Sequence, residues 1–270
     1  MSGHPAFDSR HFAELRRAAG VGLGDPFTAC DQTESTMDDA LSAARAGAPH
    51  SATFFAEQQT RGRGRRGDRW ICAPREGLTF SVLLRPAHSA PHYSAFGLAA
   101  GLAVRDAVAL WISEPAWLKW PNDVLAAGKK LAGVLVESQF PSGGDPGCET
   151  RSAMVVGIGV NVHTREFPES ISRIATSLNL LDAGELRREK LLVSLLTALE
   201  KRFNQYESFG FSGISEDFER YDALRDRSIS VDGEAGMARG IDPSGALRFE
   251  APSGKIRLVH GGSVLSSPGD

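Results

Sequence analysis

With 270 residues, 41% of them hydrophobic and 23% charged, the chain has material for about two soluble domains with a sizeable core. A net charge of −3 argues against general nucleic-acid binding, where a basic domain is expected. Cys30, Cys72 and Cys148 are odd in number and far apart, which supports neither a disulfide framework nor a zinc site and fits a reducing cytoplasm; no signal peptide or membrane span is readable.

In chain order, residues 1–26 are polar and Gly-rich, with at most a short helix over 11–19 and too little length for a folded DNA-binding module. A first strand is expected at 27–31. Thr36 and Asp39 fit the start of a capped helix that Gly47 closes. Thr36 reads foremost as the N-cap, while the same helix start offers N–H and hydroxyl donors to a ligand. Residues 52–57 and 77–84 read as buried strands. An apolar helix covers 93–113, with Trp111 in its core-facing set and Gly97 and Gly101 allowing close packing on a sheet.

A strand then meets the turn Pro121-Asn122-Asp123, and Ala127-Gly128 makes a tight turn before the next strand. Lys129 and Lys130 open that strand, a pattern usual for an exposed edge. Residues 141–149 read as a surface loop. Residues 154–162 form an apolar strand interrupted by Asn161, which is either a satisfied core amide or a ligand contact. An amphipathic helix covers 186–206, and helical character continues to about 221. From 223 the texture changes to short β segments at 228–232, 235–241, 246–250 and 255–260, separated by Gly-containing turns. The organisation expected is an N-terminal arm (1–26), a main domain (27–222) and a small β-barrel (223–270).

The most informative stretch is Gln59-Thr60-Arg61-Gly62-Arg63-Gly64-Arg65-Arg66-Gly67-Asp68-Arg69-Trp70. Glycines let backbone N–H groups turn toward an anion, and arginines add planar donor forks for phosphate or carboxylate. The glycines formally satisfy a dinucleotide-binding pattern, but Pro74 stops the helix it needs and no acid stands about 20 residues on. A solvated basic loop or an RNA contact is the other simple reading, against the acidic balance of the chain.

Taken together, Ser35-Thr36, Gln59, the Gly62–Gly67 run, Lys119-Trp120-Pro121-Asn122-Asp123, Lys130-Leu131-Ala132-Gly133, Gly157-Ile158-Gly159-Val160-Asn161, Gly240-Ile241-Asp242 and Gly261-Gly262 resemble bacterial biotin protein ligases over about residues 28–265. The resemblance implies an α+β fold, a mixed β-sheet flanked by helices, followed by a small SH3-like β-barrel. It implies that biotin and MgATP give biotinyl-5′-AMP, which the lysine of a biotin carboxyl carrier domain then attacks. By the same resemblance Ser35, Thr36 and Gln59 would face the ureido ring and Met37, where many relatives have Asn, would line the pocket. Gly62, Arg63, Gly64 and Arg65 would close over biotin. Arg65, Arg66, Trp70, Asn122, Asp123 and Asn161 would lie around ATP, with Asp123 toward Mg2+. Lys130 and Arg65 would carry the catalytic charge, Lys130 touching both the biotin carboxylate and the phosphate. The arginine loop would be a gate, mobile when empty. A monomer or weak homodimer without DNA or membrane binding is expected, and the nearest rival activity is lipoate–protein ligation.

Overall fold

The computed structural model describes residues 4–88, 90–139 and 152–266, so the loop expected at 141–149 and Cys148 lie outside the described residues. Helix α1 (Ser9–Ala18) begins at Asp8, whose carboxylate accepts the backbone N–H of Arg10 and His11, and Arg16 and Arg17 sit in its last turn. Both ends thus complement the helix dipole.

The strands of the first sheet are β1 (Phe27–Thr33), β2 (Thr53–Gln59), β3 (Gly77–Leu84), β4 (Ala116–Lys119), β5 (Asp123–Ala126), β6 (Lys129–Gln139) and β7 (Ala153–Asn161). Their spatial order is β1-β2-β3-β7-β6-β5-β4. Only the β1–β2 pair is parallel, which makes the sheet mixed, as expected. The expectation of an edge strand at Lys129 and Lys130 is corrected: β6 is paired on both sides, with β5 and β7.

Alternation along the strands divides the sheet into two faces. Leu78, Phe80, Val82, Leu84, Met154, Val156, Ile158 and Val160 belong to the large core with α3 (Phe96–Val108) and α4 (Arg188–Phe209). Each such side chain, fully buried, contributes about 1.5–3 kcal/mol. Helix α3 is shorter than expected, because a 3-10 turn at Ala90–Tyr93 precedes it. Gly101 does pack closely, its Cβ position lying 3.4 Å from Leu118 of β4, whereas Gly97 faces open space.

On the opposite face, Leu83, Ala153 and Val155 pack against Met37, Ala40, Leu41 and Ala44 of α2 (Thr36–Arg45). This helix ends at Gly47 (φ +85°), whose N–H bonds Ala44 O while Ala48 N–H bonds Ala43 O, a Schellman closure. Because α2 is short, it covers only part of this face. The uncovered part becomes the floor of a cavity.

After α5 (Ser215–Tyr221) come β8 (Ser228–Val231), β9 (Glu234–Ile241), β10 (Leu247–Glu250), β11 (Ile256–Val259) and β12 (Val264–Ser266). They form an antiparallel sheet in the order β11-β10-β9-β8-β12, consistent with a small SH3-like unit. No ladder joins β11 to β12 among the described residues, so the barrel expected from the sequence is an open sheet here. Trp120 Nε1 donates to Gly245 O at 2.9 Å and joins the two sheets.

Candidate active site

The floor follows from strand register. Ser81 pairs with Gly157, which pairs with Leu135, and Thr79 pairs with Gly159, which pairs with Gly133. A Cβ on Gly157 would stand 2.8 Å from Met37 Cε, and one on Gly159 would stand 2.4 Å from the Trp70 ring. The glycines therefore leave room for two side chains that come from elsewhere. Residues 157 and 159 are about 7 Å apart along one strand face, so Met37 marks one end of the cavity and Trp70 the other.

At the Met37 end, β2 delivers Gln59 beneath the start of α2. Gln59 Oε1 accepts Thr36 N–H at 2.8 Å and Thr36 Oγ1–H at 3.1 Å, and Thr36 Oγ1 lies 2.9 Å from Ser81 Oγ. This corrects the N-cap reading of Thr36. Ser35 occupies the cap position and makes no capping bond, while Thr36 is the first helical residue. Ser35 Oγ is buried without a hydrogen-bond partner among the described residues, as is Trp70 Nε1. Buried polar atoms of this kind are what a polar ligand satisfies.

At the Trp70 end, the β4–β5 hairpin sets Lys119 opposite Asp123. Lys130 Nζ lies 2.6 Å from Asp123 Oδ1 and 5.8 Å from the centroid of the Trp70 ring. Burial pulls the Lys119 ammonium below the ordinary lysine range, Asp123 opposes this, and Lys130 adds to it. Asn122 lines the cavity, but its Nδ2 donates to Val134 O at 3.0 Å and fixes the turn against β6. Asn161 does not join the cavity lining. Its Nδ2 donates to Thr176 O at 2.9 Å, the satisfied-amide alternative. It thereby supports the segment whose Ile174 O and Thr176 N–H hold the Lys130 backbone at 2.7 and 2.9 Å.

The arginine stretch folds over the top. Arg63 pairs with Arg69 as a short bridge, Gly64 N–H bonds Asp68 O at 2.8 Å, and Trp70 N–H bonds Gly62 O at 3.0 Å. A Cβ on Gly62 would meet Trp70 O at 2.5 Å, so Gly62 serves close approach at the base of the lid and does not line the main cavity. The left-handed positions are Arg66 and Gly67, at φ 54° and 84°. Arg63 reaches Asp38 Oδ1 at 2.6 Å and Glu137 Oε1 at 2.5 Å, clamping the lid to α2 and β6. Arg66 reaches Asp232 Oδ1 of the second sheet at 3.1 Å.

The lid, the floor and residues 262–264 enclose a cavity of about 400 Å³. Ser35, Thr36, Met37, Gln59, Arg63, Gly64, Arg65, Arg66, Trp70, Asn122, Asp123 and Lys130 all line it. Lys119, Ser81 and the 262–264 segment line it too, although the sequence assigned them no role. The alternating Gly157 and Gly159 were the available signal for the floor. Burial lowers the affinity of the Arg65 guanidinium for its proton, Asp123 opposes that, and Arg66 adds to it. Cations at 65, 66, 119 and 130 thus line the same cavity as the Asp123 carboxylate, an arrangement for a multiply charged anion.

Residues 29–161 match the model of the Biotin/lipoate A/B protein ligase family. The chain is 33% identical over 277 residues to the biotin–[acetyl-CoA-carboxylase] ligase of Mycobacterium tuberculosis, covering 97% of this chain and 96% of that one. It is 35% identical over 233 residues to the enzyme of the same name from Paracoccus denitrificans, covering 83% and 94%. The biotin protein ligase of Aquifex aeolicus, solved in complex with biotin and ATP, superposes with a TM-score of 0.74 at 26% identity, covering 89% of this chain and 100% of that one. With a relative this similar along nearly its whole length, and with the lid, floor and paired charges in place, the chain belongs to the biotin protein ligases.

Proposed function

We propose that the chain activates biotin with ATP to biotinyl-5′-AMP, releasing pyrophosphate, and passes the biotinyl group to a lysine of a biotin carboxyl carrier domain. The observation that carries this reading is the Lys130–Asp123 pair beneath an arginine lid, at the far end of a cavity whose other end presents Ser35, Thr36 and Gln59. In the first step a carboxylate must approach an anionic α-phosphate. Lys130 screens that repulsion, and Arg65 neutralises charge developing on the phosphate. Preorganised donors of this kind are worth about 10²–10³ in rate each. In the second step the lysine amine attacks the mixed anhydride and AMP leaves, while the closed lid keeps water from the same carbonyl.

The nucleotide fits the Trp70 end, where an unpartnered indole N–H and a set of cations face the cavity. Asp123, a carboxylate in the cavity lining, would hold magnesium, which would supply positive charge to the anionic substrate. Among the described residues no three His, Cys, Asp or Glu gather as a metal cage. The second sheet, as a domain from about residue 223, completes the wall through residues 262–264.

The test is mass spectrometry of a carrier domain after incubation with the protein, ATP and either biotin or lipoate. A biotinyl adduct on one lysine is expected. A lipoyl adduct without a biotinyl one would overturn the assignment.

A further inference from the structure

At the Met37 end, the direction of every hydrogen bond in the Thr36–Gln59–Ser81 cluster is fixed by elementary valence. A backbone N–H can only donate, and Thr36 N–H faces the Gln59 amide at 2.8 Å, so the atom turned toward it is the oxygen. That oxygen also lies 3.1 Å from Thr36 Oγ1, and it can only accept, so Thr36 spends its hydroxyl proton there. Thr36 Oγ1 has no proton left for Ser81, 2.9 Å away, and the Ser81 hydroxyl must therefore donate to it. Ser81 is fully buried in the middle of β3, and its neighbour across the sheet is Gly157.

We infer that Ser81 is a positioning residue for the acyl substrate, setting the hydrogen-bond polarity of the ring end of the site through Thr36. With Ser81 donating, one lone pair of Thr36 Oγ1 remains, and it can only accept. The Gln59 amide, held by its oxygen, is left to present its Nε2 as a donor. The cluster therefore offers an acceptor and a donor, the complement of an edge carrying N–H beside C=O. A cyclic urea or lactam meets that description, whereas a disulfide ring such as that of lipoate offers neither group. Selectivity for the ureido ring is thus set partly by a hydroxyl that acts through its neighbour. This rests on the biotin reading above.

The experiment compares wild type with Ser81→Ala, Thr36→Val and the double variant in pyrophosphate release, varying biotin and ATP separately. Removing one hydrogen bond of ordinary strength predicts that Ser81→Ala raises the KM for biotin roughly three- to tenfold. The KM for ATP and kcat stay near wild type, and the melting temperature falls by no more than about 2–4 °C. Because Ser81 acts through Thr36, the double variant should equal Thr36→Val alone. A wild-type KM for biotin in Ser81→Ala, or losses that multiply in the double variant, would overturn the role of Ser81. Equal loss of kcat with both substrates would mark a structural role and also overturn it. Failure of the wild-type protein to release pyrophosphate with biotin would instead overturn the functional reading itself.

Discussion

Gly159→Ala isolates what the glycine floor does. Residue 159 sits in extended backbone, where alanine is conformationally acceptable and replaces a residue that weakens a strand by about 0.5–1 kcal/mol. The strand itself should therefore tolerate the change. The added Cβ, however, would lie 2.4, 2.7 and 2.8 Å from Cε2, Cζ2 and Cδ2 of Trp70. Carbon atoms pack at about 3.5–4.0 Å, so the indole must retreat by roughly 1 Å. Trp70 is hydrogen-bonded through its backbone to Gly62, and its ring lies beside Lys130, so the retreat shifts the lid base and the Lys130 ammonium together. A displacement of that size near reacting groups costs about 10²-fold. The assay is biotin-dependent pyrophosphate release, with thermal unfolding as the control. A loss of roughly 10²-fold is expected with an unfolding temperature within a few degrees of wild type. Wild-type turnover in this variant would refute the packing argument. Gly157→Ala is the internal comparison. Its clash is with Met37 Cε, the free end of a flexible side chain, so its effect should be smaller and confined to the KM for biotin.

The other expectations concern charge. Lys130→Ala should abolish adenylate formation yet leave the melting temperature nearly unchanged, since a part-exposed ion pair contributes about 0–1 kcal/mol; retained turnover would remove Lys130 from the mechanism. Asp38→Asn combined with Glu137→Gln deletes both partners of Arg63, and limited trypsin digestion should then cut faster within residues 61–69, with biotin plus ATP restoring protection. Unchanged cleavage would argue against the clamp. Burial pushes Asp222 up to about 6, and the hydrogen bond from Leu224 N–H opposes this. A carboxyl whose folded pKa is raised above its unfolded value favours the fold when protonated. Its cost therefore grows as pH rises from about 4 through about 6 and is complete at neutrality. Asp222→Asn should stabilise the protein at pH 7.5 but not at pH 4, in chemical denaturation; an equal effect at both pH values would contradict this.

Much of the fold was readable because its signals are local. The apolar run at 77–84 is bounded by loop residues on both sides, and β3 spans those positions. Thr36 was misread for the converse reason. Its neighbours in sequence suggest a cap, whereas its real partners, Gln59 and Ser81, lie 23 and 45 residues away. Lys129 and Lys130 looked like edge residues because the turns at 121–123 and 127–128 are local signals but the pairing of β6 with β7, far along the chain, on its other side is not. The lid motif was visible in its composition, but its clamp was not, since Asp38 and Glu137 stand 25 and 74 residues from Arg63. Asn161 was left open between two alternatives, and the choice depended on Thr176, which reaches it only after the chain has turned beyond β7. The three-residue β12 carries too little periodicity to be seen at all.

The N-terminal arm has a consequence for the order in which the molecule assembles. Glu57 accepts the backbone N–H of Phe7 and both terminal nitrogens of Arg188, which in turn donates to Pro5 O and Gly77 O. Asp8 N–H bonds Glu189, 181 residues later. During synthesis from the N-terminus, then, the arm and β2 emerge early but the guanidinium that holds them together emerges late. Until α4 is made, Glu57 lacks its guanidinium partner, and residues 5–8 are held through the contacts of Phe7 with Glu57, Phe27 and Phe55. Closing so long a loop is slow, so the docking of residues 5–8 should be among the last events of folding. The arm acts as a fastening applied after the sheet is laid, at the end of β2 that carries Gln59 into the cavity.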